Sequence, residues 1–270
     1  MSTSIGLNRE LALGQRKLRT ILEDSALYMR KAGELLRGDK IYNLRTGWAC
    51  QFRDLPDGGR AIVDVYVPGD MIGLDTVLHT RSPEEVQTLT AVTMGAVAAE
   101  NALMDLMAHQ STALYIAWLL GQRQRRADRL LAAISSLDAP GRVAMMVLDF
   151  YTRLRRRRLI TGCTYNLPLS QVQVGRYLGL TVVHINRVLR SVREAGIASL
   201  ERHCVTILDL ERLTSLAQNG GTVSSSDVRI DGHPSNKIAL PRSDASSVSD
   251  LGVLAINTTE VARTQHPVMR

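Results

Sequence analysis

Residues 174–197, VGRYLGLTVVHINRVLRSVREAGI, hold two short apolar-periodic segments on either side of Gly179. With the residues just before them they predict two helices, 170–178 and 181–195. Val174 and Leu178 share one face of the first helix, with Gly175 beside them. Ile185, Val188, Leu189 and Val192 form the inner face of the second. A glycine at 179 can adopt the left-handed backbone that a tight turn needs, and one at 175 lets two helices cross closely. Ser170 and Thr181 are suited to cap the two N-termini. The pattern is that of a helix-turn-helix.

That reading accounts for the valines. Val182, Val183 and His184 fall in the first turn of the second helix, with Asn186 and Arg187 a turn later. The N-terminal residues of such a helix face base edges when it enters the major groove of duplex DNA. Valine can meet a thymine methyl, and Asn and Arg can pair with adenine and guanine edges. Arg190 and Arg193 continue the charge toward phosphates. The candidate contact set is Ser170, Gln171, Thr181, Val182, Val183, His184, Asn186, Arg187 and Arg190. An ordinary helical hairpin with exposed valines is the plainer alternative. Against it, the outward face from 170 to 192 carries no acid. After Gly196, IASLERHCVTILDL predicts two short strands around Glu201, Arg202 and His203. They form either a wing whose tip meets phosphate or a plain capping hairpin.

Upstream, residues 1–30 read as a short helical lead-in and 31–98 as strands and turns. LPDGGR, with Asp57, Gly58 and Gly59, signals a hairpin, AIVDVYV follows as a strand, and PGD at 68–70 is a turn. VQTLTAVTMGAVAA reads as one or two strands. From Asn101 the spacing becomes 3-4. Leu103, Leu106, Gln110, Ala113, Ala117, Leu120, Gln124, Ala127, Leu131 and Ile134 make a seam about five heptads long. Its small and polar members permit close approach of a second helix, and its length points to pairing between two copies of the chain. Asp138-Ala139-Pro140-Gly141 then breaks the helix and marks a hinge. A further helix follows, with Val143, Met146, Val147, Phe150, Tyr151 and Leu154 on one apolar face and Met145 as core filler. It closes on RLRRRR, 153–158, which reads either as a solvated helix end or as an aid to DNA attraction. Residues 218–270, rich in Ser, Thr, Gly and Asn, read as a disordered tail.

The formal charge is +7 and the pI near 9.7. Beyond Ala217 five basic residues balance five acidic ones, so the excess lies in residues 1–217 and favours a polyanionic partner. The first thirty residues carry charges throughout and no stretch approaches a membrane span, so the expectation is a cytoplasmic protein without a membrane partner. Cys50, Cys163 and Cys204 are far apart, suit a reducing compartment and show no metal spacing.

The stretch LPLSQVQVGRYLGLTVVHINRVLRSVREAGI resembles the winged helix-turn-helix of the Crp/Fnr superfamily of bacterial transcription regulators. GWACQFRDLPDGGRAIVDVYVPGDMIGLDTVL is similar to that family's cyclic-nucleotide-binding β roll. The likeness spans about residues 30–215. It implies an α+β chain: a jelly-roll-like sensor β roll over 1–100, a dimerisation helix over 101–138, a winged helix-turn-helix over 139–217 and the tail 218–270. It further implies a homodimer that reads a two-fold symmetric site with helix 181–195, and RNA polymerase as a further partner. Arg187 matches a base-contacting position of the family; Thr181 and Arg190 match phosphate-contacting ones.

Departures bear on the effector. Relatives that bind cyclic AMP carry Gly-Glu and then Arg-Ser around the cyclic phosphate. Here Gly73 precedes Leu74 and Asp75, and the later position reads EEVQTLTAV, where neither Val86 nor Gln87 can grip a phosphate and Glu84 and Glu85 would repel it. Cyclic AMP is therefore not expected. Nor is an iron–sulfur cluster, for want of an N-terminal cysteine set, nor haem, for which lone His79 is a poor basis. Where this family often has Arg-Glu in the recognition helix, the chain has Val182-Val183, which predicts a different DNA sequence. The remaining alternative is a ligand-sensing module with vestigial DNA binding. No catalytic constellation or phosphate-cradling loop appears, so an enzyme is not expected.

Overall fold

Short, half-buried runs separated by glycine turns make the N-terminal half a β roll. The computed structural model describes residues 2–23, 25, 27–56, 58–75, 84–98 and 106–219. Seven strands follow one another: β1 (Leu27–Arg30), β2 (Lys40–Thr46), β3 (Ala49–Asp54), β4 (Arg60–Tyr66), β5 (Met71–Ile72), β6 (Glu84–Thr88) and β7 (Val92–Ala98). They form two antiparallel sheets, ordered β1-β7-β2-β5 and β4-β3-β6. Tyr42, Leu44, Tyr66, Ile72, Val92 and Met94 fill the space between them. The β3–β4 hairpin closes through Leu55, Gly58 and Gly59, with Gly58 at φ +80°; Asp57 lies outside the described residues. The Val-, Thr- and Ala-rich stretch resolves into two strands, β6 and β7.

The lead-in is not short. Helix α1 (Ser2–Glu23) runs 22 residues, and the chain enters β1 by residue 27. Leu11, Leu18 and Leu22 recur at helical spacing and are buried against α2 (Gln110–Ser136) and the roll. A Cβ on Gly14 would come within 1.9 Å of the Ser111 carbonyl oxygen, so only glycine allows this approach. The Ser111 hydroxyl donates to Glu10 Oε2 at 2.6 Å across the contact.

Helix α2 starts at Gln110 with His109 as N-cap; Leu106 and Met107 are helical too, a turn at 108–109 separates them from α2, and Leu106 is fully buried. Leu103 lies outside the described residues. On α2 the buried residues are Ser111, Thr112, Ile116 and Ala133. The seam members Ala117, Gln124, Ala127 and Leu131 are exposed, Leu131 by 65%. Ser111 and Tyr115, which meet α1, lie on another face, far round the helix from that seam.

Asp138 caps α3 (Ala139–Arg156), its Oδ1 accepting from the Gly141 N–H at 2.9 Å. The apolar face of α3 is buried as its spacing predicts. Then come β8 (Thr164–Asn166), α4 (Gln171–Leu178), α5 (Val182–Glu194), β9 (Ala198–Glu201), β10 (Cys204–Ile207) and α6 (Leu210–Asn219). The three strands pair antiparallel in the order β8-β10-β9; β8, only three residues long, left no readable alternation in the sequence. Helix α6 extends to residue 219, two residues into the segment read as tail, and the rest of that segment lies outside the described residues.

The two halves share one apolar cluster. Trp48, Cys50, Ile62, Val65 and Val67 of the roll pack with residues of α3, α4 and α5. Trp48 meets Phe150 edge-on at 5.4 Å, and Phe150 meets Tyr177 at 6.2 Å. At the α4–α5 crossing, a Cβ on Gly175 would stand 2.5 Å from the Leu180 carbonyl oxygen. Gly175→Ala must therefore push the two helices apart, and is expected to cost about 1–3 kcal/mol of stability in urea unfolding. Wild-type stability in this variant would contradict the close crossing.

Candidate nucleic-acid interface

The geometry of α4 and α5 follows from four local constraints. Ser170 and Gln173 form a reciprocal capping box at the start of α4, at 2.8 and 3.2 Å. Gly179 ends α4 at φ 66°, ψ 37°, the left-handed region. The Thr181 hydroxyl accepts from the His184 N–H at 3.3 Å and starts α5. Gly175 sets the crossing distance. Ile185, Val188 and Val192 are buried beneath α5, with Leu189 packed at the margin.

The outward face is thereby fixed. Val183 is 71% exposed, although burial of a valine would ordinarily be favourable. His184, Asn186, Arg187 and Arg190 are exposed with it, Thr181 stands at the helix start, and Val182 is half-buried. Ser170 and Gln171 are exposed at the start of α4. The structure thus places Ser170, Gln171, Thr181, Val182, Val183 and His184 at the N-terminal ends of two adjoining helices, with Asn186, Arg187 and Arg190 further along α5. Arg190 reaches Glu194 at 3.5 Å, a solvent-screened pair that leaves its guanidinium available. Arg193 does not extend the free basic face: it pairs with Glu201 and ties α5 to the wing. At the wing tip Arg202 and His203 adopt φ of 50° and 66°, the paired left-handed turn of a two-residue hairpin.

A second constellation was not legible in the sequence. In the run RLRRRR, Arg155, Arg156 and Arg158 are exposed, whereas Arg153 and Arg157 turn inward onto the β roll. Both pair with the buried Asp70, Arg157 Nη2 at 2.6 Å from Oδ1. Arg157 also donates to the Pro68 carbonyl at 2.6 Å and Arg153 to that of Val65 at 2.9 Å. Asp70 Oδ2, which Arg153 engages, also accepts from the Val67 N–H at 2.8 Å. Beside it, Arg126 and Arg123 of α2 lie 3.2 and 3.3 Å from Asp64 Oδ2, and Arg123 also pairs with Asp75. The i, i+4 spacing of Arg153 and Arg157, flanking the buried face of α3, was the one available signal.

Burial alone would raise the Asp70 carboxyl, but the guanidiniums of Arg153, Arg157 and Arg126 outweigh it and hold it well below the usual carboxylate range. A carboxyl depressed by folding stabilises the fold above its unfolded value, here 3.8, and that contribution drains away as pH falls below it.

The β-roll architecture implies a cyclic-phosphate site, and the described residues at its phosphate positions do not fit one; residues 76–83, Arg81 and Ser82 among them, lie outside the described residues. Val86 is buried in the core, the Gln87 amide donates to the Gly33 carbonyl at 2.8 Å, and Asp75 is engaged by Arg123. His79 lies outside the described residues. The three cysteines are free and do not assemble a thiolate set. Cys50 is in the core, where burial raises its thiol to about 11, and Cys163 and Cys204 lie beside and on β-strands of the other half.

Two family models match the chain: a cyclic nucleotide-binding domain over residues 31–110 and a Crp-like helix-turn-helix domain over 141–216. The chain belongs to the Crp/Fnr superfamily of transcription regulators. It is 25% identical over 194 residues to an anaerobic regulatory protein of Haemophilus influenzae, covering 71% of this chain and 74% of that one. It is 27% identical over 180 residues to the nitrogen fixation regulation protein FixK of Rhizobium meliloti, covering 66% and 78%. The fold is that of FixK2 from Bradyrhizobium japonicum, with a TM-score of 0.61 at 21% identity over 71% of this chain and 96% of that one. No described helix is long and apolar enough to cross a membrane.

In this Crp/Fnr member, Asp70→Asn leaves two largely buried guanidiniums without their counter-charge. It is expected to destabilise the fold by about 3–5 kcal/mol near neutral pH. The gap between variant and wild type should narrow as pH falls below 3.8. Urea unfolding across pH reads both, and a pH-independent gap would contradict the ion-pair origin.

Proposed function

We propose that this regulator acts as a homodimer that reads a two-fold related duplex site, each copy placing α5 in the major groove. The observation that carries it is the split of α5. Ile185, Val188 and Val192 are spent on the core, while Val183, His184, Asn186 and Arg187 project from an exposed surface free of acid. Arg187 and Asn186 serve as base readers, Val182 and Val183 as contacts for thymine methyls, and Ser170, Gln171, Thr181 and Arg190 as phosphate contacts. His184, at the same helix end, completes the reading surface.

Division of labour follows the chain: residues 1–100 as sensor, 101–138 as dimerisation helix, 139–217 as DNA reader. The exposed seam on α2 supports the second role, since α1 covers a different face and leaves Ala117, Gln124 and Leu131 open. The protein works by binding, in the cytoplasm, with duplex DNA and a second copy of itself as partners and RNA polymerase as a further one.

Gel shifts against a cognate duplex test the reading. Binding should weaken steeply with salt while a specific complex survives competitor DNA. Arg187→Ala should lose about 1–3 kcal/mol of specific affinity, with the fold unchanged by circular dichroism. Undiminished specific binding would refute the assignment. Ala117→Glu with Leu131→Glu places like charges across the proposed seam. Sedimentation should then show monomers where wild type sediments as a dimer; an unchanged dimer would move the interface elsewhere.

A further inference from the structure

A cleft of about 700 Å³ opens between α2, α3, the β5 turn and the end of α6. That volume lies within the range of sites that hold whole small molecules. Its walls are strongly basic. Helix α2 supplies Arg123, Arg125, Arg126 and Arg129, and α3 supplies Arg153, Arg156 and Arg157. Among the described residues three carboxylates line it, and each is already engaged: Asp70 by Arg153 and Arg157, Asp75 by Arg123, Asp149 by Arg129 and Arg153. Among the described residues Arg125 and Arg156 have no ion-pair partner. The Nε atoms of Arg126 and Arg153 and the indole Nε1 of Trp118 are buried without an acceptor.

Seven guanidiniums around three lining carboxylates, with Asp64 behind Arg123 and Arg126, still leave a cation excess among the described residues, in a confined space where low-dielectric walls concentrate the field. Guanidinium forks match phosphate and carboxylate oxygens in pairs. Trp118 and Leu148 add apolar wall. We infer that this cleft binds a small molecule carrying two or more oxyanion groups. No residue of α5 lines it, so the site is separate from the DNA-reading face. Trp118, Gln122, Arg125 and Arg129 recur at helical spacing on a face of α2 away from the seam, and of the described lining residues only Leu120 belongs to the seam, so pairing through it leaves the arginine wall open. A ligand held by Arg125 and Arg129 on one side and Arg156 on the other spans the α2–α3 junction. It also competes with Asp70 for Arg153 and Arg157, which couples its occupancy to the contact between sensor and DNA-reading halves.

Calorimetric titration of the full chain in low-chloride buffer tests this, with inorganic pyrophosphate in one arm and citrate in the other. One saturable site per chain for either probe is expected, and their ranking distinguishes a phosphate from a carboxylate source. The pair Arg125→Ala and Arg156→Ala, both exposed and unpartnered, should weaken binding at least about tenfold while keeping the fold by circular dichroism. Arg187→Ala with Arg190→Ala should leave it within about twofold, the scale expected for well-separated sites. No saturable binding of either probe, binding unaffected by the Arg125 and Arg156 changes, or loss only in the Arg187 and Arg190 pair would each overturn the proposal. DNA gel shifts are independent of this readout, so failure here leaves the DNA-binding reading standing.

Discussion

A buried carboxylate held between two guanidiniums fixes how the halves of this protein meet. Asp70 sits at the glycine turn before β5, and Arg153 and Arg157 reach it from the last two turns of α3. Desolvating these groups is costly, and two guanidinium contacts together with the Val67 N–H offset that cost. The pair is more directional than the apolar packing around it. Trp48 against Phe150 brings the halves together, while the ion pairs select one register. The axis of α3, and through the shared core those of α4 and α5, is then set relative to the β roll.

A regulator needs this arrangement. The reading surface is rigid within itself, built on caps at Ser170 and Thr181 and the close crossing at Gly175, so its shape does not depend on the sensor half. Its orientation does depend on that half, through the shared apolar cluster and the Asp70 ion pairs. Because the reader is preformed, a shift at its contact with the β roll would reorient it without rebuilding it.

The helix-turn-helix was legible because each of its features is local. A cap, a left-handed glycine, a crowded glycine and a 3-4 apolar pattern all fall within about two dozen residues, and each leaves a residue-type signature. The β3–β4 hairpin was legible for the same reason, through its glycine turn. The Asp70 contact was not, because its partners are more than eighty residues apart and an arginine run looks alike whether its members face water or a buried acid. Helix α1 was underestimated because its burial rests on tertiary contact at Gly14 and Ser111, which no periodicity announces. The departure read at Val86 and Gln87 concerns two residues that the fold engages in other contacts, while residues 76–83 beside them lie outside the described residues.

Selection of bound duplexes from a random pool, run side by side for the wild-type chain and Val183→Glu, tests the central claim most directly: that the outward face of α5 reads base edges. The account predicts a wild-type motif of two inverted half-sites about one helical turn apart. It also predicts the same spacing with an altered base at one position of each half-site in the variant. An identical motif from both proteins, or no enriched motif from the wild type, would contradict it.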